Sequence, residues 1–181
     1  TQIAGYRDRT IRVVALTGGE PFYNVESLRA ISDHAVAAGL LPSAVTNSFW
    51  ASTPERAEAT LRRVPGVRVL SFSTDIYHQV AIPLEWVRNG VEAAERLGVS
   101  YSISVCTENE SEPGYLEIMR RLQEFVPREF ILTAIALPVG RALEKLDRDK
   151  YETSDEVTLS ACATGSSPVI FPDGRVIGCI G

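Results

Sequence analysis

The regular alternation of strand-like and helix-like segments limits the folds open to this chain more than any other feature. Five apolar runs typical of buried strands are separated by four amphipathic segments, with a repeat of about 30 residues. The strand-like runs are 10–16, 41–47, 67–73, 100–106 and 130–137, and the helix-like segments are 24–39, 53–66, 83–98 and 114–126. This alternation predicts right-handed βαβ units and an α/β fold with a parallel sheet. It leaves open whether that sheet is flat or closed into part of a barrel.

Composition and charge exclude several classes of partner. The chain has 181 residues, 45% of them hydrophobic, which is enough for a substantial core. Its net charge is −5 and its basic residues are scattered, so no nucleic-acid partner is expected. No apolar run reaches the roughly 18 residues that a membrane span needs, and no signal peptide is visible. We therefore expect no membrane association and a cytoplasmic location. Because the chain opens on Thr1 and closes at Gly181, soon after a cysteine, we also expect it to be part of a longer protein.

Small polar residues occupy one face of two predicted strands. Ser71, Ser73 and Asp75 alternate along the third strand, and serines followed by Cys106 alternate along the fourth. A filled barrel would carry Val, Ile and Leu at such positions. The pattern favours a cavity lined by polar side chains that admits ligand and water. The alternative is that these residues lie at a solvent-exposed rim, near the strand ends.

Two adjacent glycines and a glutamate follow the first strand, at the end where parallel α/β folds place their sites. Gly18 and Gly19 have no Cβ, so a ligand can approach the main chain closely. Glu20 adds negative charge, whereas a phosphate loop would more naturally carry a lysine or a bare helix terminus. This favours a cationic or amine-bearing ligand. A simple turn before Pro21 is the alternative.

The segment "ALTGGEPF" resembles the Gly-Gly-Glu-Pro motif of the radical S-adenosylmethionine (SAM) enzymes. "TNS" at 46–48, "SFSTD" at 71–75 and "LPVGRA" at 137–142 are similar to other strand ends of that family. The resemblance implies a partial TIM-like (β/α)6 barrel with parallel strands, in which Gly18, Gly19 and Glu20 hold the amino group of SAM. It also implies that the wall near SAM is formed by Thr46, Asn47, Ser71, Ser73 and Asp75.

The hallmark of that family, C-x3-C-x2-C, is absent from the chain. Its thiolates hold the catalytic [4Fe-4S] cluster, and they should precede Thr17, whereas the first cysteine here is Cys106. As given, the chain could not build that cluster. The segment is either missing from this chain, which its start at Thr1 favours, or lost in a degenerate member of the family.

Two cysteines flank a predicted hairpin near the end of the chain. Eleven residues separate Cys162 from Gly174, and four residues separate Gly174 from Cys179. Asp173-Gly174 favours a tight turn between two short strands. The spacing resembles the opening of a SPASM extension, in which such cysteines bind an auxiliary [4Fe-4S] cluster.

The resemblance implies a two-domain organisation and a radical reaction. Residues 1–142 would form a partial radical SAM barrel, and 143–181 a linker and the start of a SPASM-like extension. SAM would be cleaved to a 5′-deoxyadenosyl radical that abstracts hydrogen from a peptide or protein, with flavodoxin or ferredoxin as electron donor.

Two alternatives remain open from the sequence. The chain could be a degenerate family member that binds SAM without catalysis. It could also be a cluster-free TIM-like hydrolase or lyase, in which Asp75, His78 and Glu20 perform acid–base chemistry. The first alternative predicts a colourless protein, and the second predicts activity in air without a reductant.

Overall fold

The computed structural model describes residues 11–136, 144, 168–171 and 173–177. The chain divides into two compact units, Thr1–Ala136 and Leu137–Gly181. The predicted domain boundary after residue 142 stays a prediction. In the part of the chain that is described, no helix combines the length and the apolar character required to cross a bilayer.

Residues 11–136 of the first unit form five strands and four α-helices in strict alternation. The strands are β1 (Val13–Leu16), β2 (Leu41–Thr46), β3 (Val69–Thr74), β4 (Ser100–Thr107) and β5 (Ile131–Ile135). The helices are α1 (Val25–Ala37), α2 (Pro54–Arg62), α3 (Leu84–Leu97) and α4 (Pro113–Leu122). Short 3-10 helices cover Pro21–Asn24, His78–Val80 and Arg128–Phe130.

Local chemistry fixes several helix ends. The Asn24 side chain caps α1 by accepting a hydrogen bond from the Ser27 amide at 3.0 Å. Thr53 caps α2 in the same way, and Pro54 occupies the first helical position, where no amide donor is needed. Helix α3 ends at Gly98, whose φ of +67° is a left-handed conformation that glycine adopts without strain.

The strand order confirms the predicted fold class. All five strands are parallel, and each lies beside its predecessor in the order β1-β2-β3-β4-β5. In a doubly wound sheet, strands are added on both sides of the first strand. Here each new strand is added on the same side, and right-handed crossovers then place every helix on one face. The unit is thus an α/β fold consistent with a partial TIM-like barrel, with five strands described where the family resemblance implied six.

The hydrophobic core lies between the helices and one face of the sheet. Leu70 and Phe72 on β3, with Ile103 and Val105 on β4, are completely buried there. Helix α3 packs closely, because a Cβ built on Gly90 would lie 2.8 Å from the Phe72 ring. Burial of these side chains stabilises the unit by about 1.5–3 kcal/mol each.

The opposite face of the sheet is polar and partly exposed. Ser71 pairs in register with Ser102, and Ser73 with Ser104, so serines lie side by side on the central strands. All four are neither buried nor fully exposed. The predicted alternation of small polar residues is therefore present on the sheet face that is turned away from the helices.

The second unit contains an antiparallel hairpin of β6 (Val169–Ile170) and β7 (Val176–Ile177). Gly174 has a φ of +85°, and its amide donates to the Phe171 carbonyl at 2.9 Å. The predicted turn at Asp173-Gly174 is thus confirmed. Cys162 and Cys179, the predicted ligands of an auxiliary cluster, lie outside the described residues.

Candidate active site

The carboxyl ends of the strands bring the predicted site residues to one edge of the sheet. Parallel strands all end at the same edge, so the loops that follow them are neighbours. Glu20 follows β1, Asn47 follows β2, Asp75 follows β3 and Glu108 follows β4. The predicted serines lie lower, within β3 and β4.

The glycine pair is exposed, and backbone conformation accounts for both residues. Gly18 has a φ of +87° and Gly19 a φ of +58°, values that favour glycine. A Cβ built on either residue would meet no atom within 4 Å. Close approach of other described groups therefore does not require glycine here, and the predicted contact of Gly18 and Gly19 with a ligand stays a prediction.

The Glu20 carboxylate joins the ends of β1 and β2. One oxygen accepts hydrogen bonds from the Phe22 amide at 3.0 Å and the Thr46 hydroxyl at 2.9 Å. The other oxygen accepts from the Asn47 amide at 2.8 Å. Glu20 thus bonds directly to Thr46 and to Asn47, two other predicted ligand contacts.

A buried tryptophan extends this network into the core. The Trp50 indole N–H donates to the Thr46 hydroxyl at 2.8 Å, and Trp50 stacks on Phe22 with ring centroids 4.5 Å apart. Thr46 can therefore accept from Trp50 while it donates to Glu20, and such chains of hydrogen bonds reinforce one another. The hydrogen bonds among Glu20, Thr46, Asn47 and Trp50 form a clamp that joins the carboxyl ends of β1 and β2.

Asp75 and His78 form a dyad immediately after β3. The Asp75 Oδ2 atom lies 2.8 Å from His78 Nδ1, and Oδ1 accepts from the amides of Tyr77 at 2.9 Å and His78 at 2.8 Å. The Asp75 side chain is 6% exposed and that of His78 is 36% exposed. A buried carboxylate thus orients an imidazole that solvent or a ligand can reach.

The dyad stabilises the charged form of both partners. Burial by itself would raise the pKa of Asp75, but hydrogen bonds from the His78 ring and amide outweigh it, so the pKa is lowered. The hydrogen bond to Asp75 raises the pKa of His78 against the opposing effect of burial, and the charges of Asp75 and Glu20 add to the rise. His78 is therefore suited to exchange a proton near neutral pH.

Cys106 lies beside this site on the polar sheet face. Its pKa is raised by burial and by the negative charges of Asp75 and Glu108, so the thiol is neutral rather than a reactive thiolate. Within the described residues, no three His, Cys, Asp or Glu side chains are grouped so that they could hold a metal ion.

The sequence pattern located the site but missed how its residues are connected. Asp75 and His78 were named together as acid–base candidates in one alternative, but the bond between them was not predicted. The bond from Glu20 to the next strand, the Trp50 indole bond and a bond between Tyr77 and Glu108 were not anticipated. A tryptophan four residues after a strand-ending threonine was the available signal for the indole bond, whereas bonds between separate loops leave no sequence signal.

Comparison with solved structures identifies proteins of related fold, while no family model and no curated protein matches the chain. A 2,3-dimethylmalate lyase of the PEP mutase/isocitrate lyase superfamily is 13% identical, with a TM-score of 0.51 over 90% of this chain and 65% of that one. An oxaloacetate acetylhydrolase is 15% identical, with a TM-score of 0.48 over 80% of this chain and 59% of that one. The YdjI aldolase from Escherichia coli K12 is 13% identical, with a TM-score of 0.40 over 70% of this chain and 43% of that one.

These comparisons concern fold. The chain spans 43% to 65% of the length of the solved chains just described. At 13% identity, the likeness to 2,3-dimethylmalate lyase supports the partial TIM-like barrel and no shared reaction.

The comparisons correct the predicted function. The structure above with a TM-score over 0.5 is a 2,3-dimethylmalate lyase and not a radical SAM enzyme. The predicted radical SAM reaction, in which SAM is cleaved to a radical that abstracts hydrogen from a peptide, is therefore wrong, and the alternative of a cluster-free TIM-like hydrolase or lyase agrees better with this likeness. A physical reason is that the structure accounts for the Glu20 carboxylate locally, through its bonds to Phe22, Thr46 and Asn47, while its contact with a ligand stays a prediction. SAM binding, the cluster cofactors, the peptide substrate and the electron donor are untested by these comparisons.

Proposed function

We propose that the chain carries the acid–base site of a hydrolase or lyase that works without an iron–sulfur cluster, with His78 as the proton carrier. The observation that carries this proposal is the 2.8 Å contact between Asp75 Oδ2 and His78 Nδ1, between a buried carboxylate and a part-exposed ring. Its position at the carboxyl edge of a parallel sheet agrees with where barrel enzymes perform their chemistry.

The geometry assigns distinct roles to the two residues. Asp75 accepts the Nδ1 proton of His78, which fixes the tautomer and leaves Nε2 as the basic nitrogen. No described residue hydrogen-bonds to Nε2. That atom takes a proton from a water molecule or from an acidic substrate carbon, and it returns the proton to the leaving group. Asp75 stabilises the imidazolium that exists between the two transfers.

The charge of the surrounding loops favours a neutral or cationic substrate. Residues 17–24, 47–53, 75–83 and 108–112 contain several carboxylates and no lysine or arginine. A dicarboxylate such as 2,3-dimethylmalate would find no lysine or arginine in these loops, whereas their carboxylates would attract an amine.

Solvent exchange tests the proposal. The protein, in air and without reductant, is incubated in D2O with neutral and amine-bearing carbonyl compounds, and loss of the C–H signals is followed by NMR. We expect C–H hydrogens of one class of compound to exchange with deuterium. The exchange should be abolished in His78→Gln and retained in His34→Gln, the matched control on α1. 2,3-Dimethylmalate serves as the anionic comparison. Exchange that survives His78→Gln, or no exchange with any compound, would contradict the proposal.

A further inference from the structure

The loop that carries the dyad is joined to the neighbouring loop by a tyrosine. The Tyr77 hydroxyl donates to the Glu108 Oε1 atom at 2.5 Å. Tyr77 lies between Asp75 and His78, and its own amide donates to Asp75. A bond at the Tyr77 hydroxyl therefore acts on a residue that is part of the dyad's backbone frame.

Other polar bonds of this loop are local. Asp75 accepts from the two amides that follow it, and the Gln79 side chain donates to the Thr74 hydroxyl at 2.8 Å. These bonds shape the loop internally but do not tie it to another strand. The Tyr77–Glu108 bond does so, because Glu108 directly follows β4.

Glu108 is part of a loop with its own internal support. The buried Thr107 hydroxyl donates to the Asn109 carbonyl at 2.7 Å and accepts from the Asn109 amide at 3.1 Å. The Asn109 side chain in turn accepts from the Ser111 amide and hydroxyl, each at 2.8 Å. Glu108 thus presents its carboxylate from a fixed backbone.

We propose that Tyr77 and Glu108 form a positioning pair that holds the Asp75–His78 dyad at the edge of the sheet. This inference rests on the proposed function of the dyad. The hydrogen bond to Glu108, burial, and the charges of Glu108, Glu112 and Asp75 all raise the pKa of Tyr77, so its hydroxyl stays a donor throughout the range in which His78 titrates. Tyr77 is 51% exposed, so the pair adds little to global stability.

Because the Tyr77–Glu108 pair contributes little to stability, a positioning role can be tested separately from a general structural role. The Tyr77→Phe variant of the full chain removes only the hydroxyl. We expect a urea midpoint that is unchanged above the pH range in which His78 titrates, a His78 pKa lower than in the unmodified protein, and loss of the low-field proton resonance of Nδ1–H. His34→Gln as the background leaves His78 as the single histidine, so its NMR signals need no further assignment.

Two further variants sharpen the test. Tyr101→Phe is a matched control, because the Tyr101 hydroxyl donates to Glu95 at 2.8 Å, away from the dyad. We expect it to leave both His78 signals unchanged. Glu108→Gln keeps an acceptor for the Tyr77 hydroxyl but removes the negative charge of Glu108. Because the pair acts by positioning the dyad, we expect the Nδ1–H resonance of His78 to persist in this variant.

The possible outcomes distinguish the two proposals. If the unmodified protein shows neither a raised His78 pKa nor the Nδ1–H resonance, the dyad itself is refuted, and the positioning pair with it. If both signals are present and Tyr77→Phe changes them no more than Tyr101→Phe does, the positioning pair is refuted while the proposed function stands. A fall in the urea midpoint of Tyr77→Phe large enough to explain the lost signals by unfolding would also refute the positioning pair.

Discussion

At the scale of single residues, the glycine pair shows how one motif can serve backbone geometry. Gly18 and Gly19 adopt positive φ and contact nothing that would exclude a side chain. Their identity is therefore explained by conformation alone. Gly66 is different, because a Cβ there would lie 2.8 Å from the backbone of α1.

This contrast leads to a stability prediction for Gly19. Gly19→Ala should lower the free energy of unfolding by about 1–2 kcal/mol, the cost of a left-handed conformation for an L-residue. Gly19→Asn should cost less, since asparagine tolerates this region. Urea unfolding measures both. Equal losses for the two variants would indicate that packing rather than φ decides the position.

Sequence reasoning at this scale found residue types more readily than their partners. The Gly-Gly-Glu segment was correctly placed after a strand, and Asp75 and His78, which one alternative grouped together, are in contact, while their proton chemistry stays a prediction. The role of Glu20 was beyond reach, because its bonds to Thr46 and Asn47 join positions 26 and 27 residues away. A carboxylate in a loop gives the same sequence signal whether it faces a ligand or the next strand.

At the scale of elements, the clamp between β1 and β2 has a measurable strength. Thr46→Val keeps the shape of the side chain but leaves the Trp50 indole and Glu20 without their shared partner. Because the site is buried, we expect a loss of about 1–3 kcal/mol in unfolding free energy and a shift in Trp50 fluorescence. Thr46→Ser, which retains the hydroxyl, should lose less. A Thr46→Val variant as stable as the unmodified protein would show that the clamp is dispensable.

The order and type of the elements could be predicted, and their ends less well. Helix α2 ends at Arg62 rather than at Gly66, because Pro65 lacks an amide donor and disfavours a helical residue before it. Helix α1 was bounded closely, since Asn24 and Gly39 are strong end signals. Periodicity defines an element's middle, whereas its ends depend on caps and prolines.

At the scale of the whole molecule, the dyad predicts how stability depends on pH. The raised pKa of His78 gives a contribution that is fully present below its ordinary value of 6.5 and is lost as pH rises through the folded-state value. The lowered pKa of Asp75 gives one that is present above its ordinary value of 3.8 and is lost as pH falls through the folded-state value.

Urea midpoints measured across pH for the unmodified protein and His78→Gln test this dependence. Their difference should be largest between about pH 4 and pH 6.5, where Asp75 is ionised and His78 is protonated. It should shrink on either side of that window. A difference that does not change with pH would mean that the pair is not charged in the folded protein.

The sheet order also bears on how the polypeptide acquires its shape during synthesis. Within the described five-stranded sheet, each strand from β2 onward pairs with the strand made immediately before it, so these pairs form without waiting for a distant segment to emerge from the ribosome. Contacts between neighbours in sequence close with little loss of chain entropy and favour rapid folding. The sheet can therefore grow one βα unit at a time from its amino-terminal edge, in step with translation.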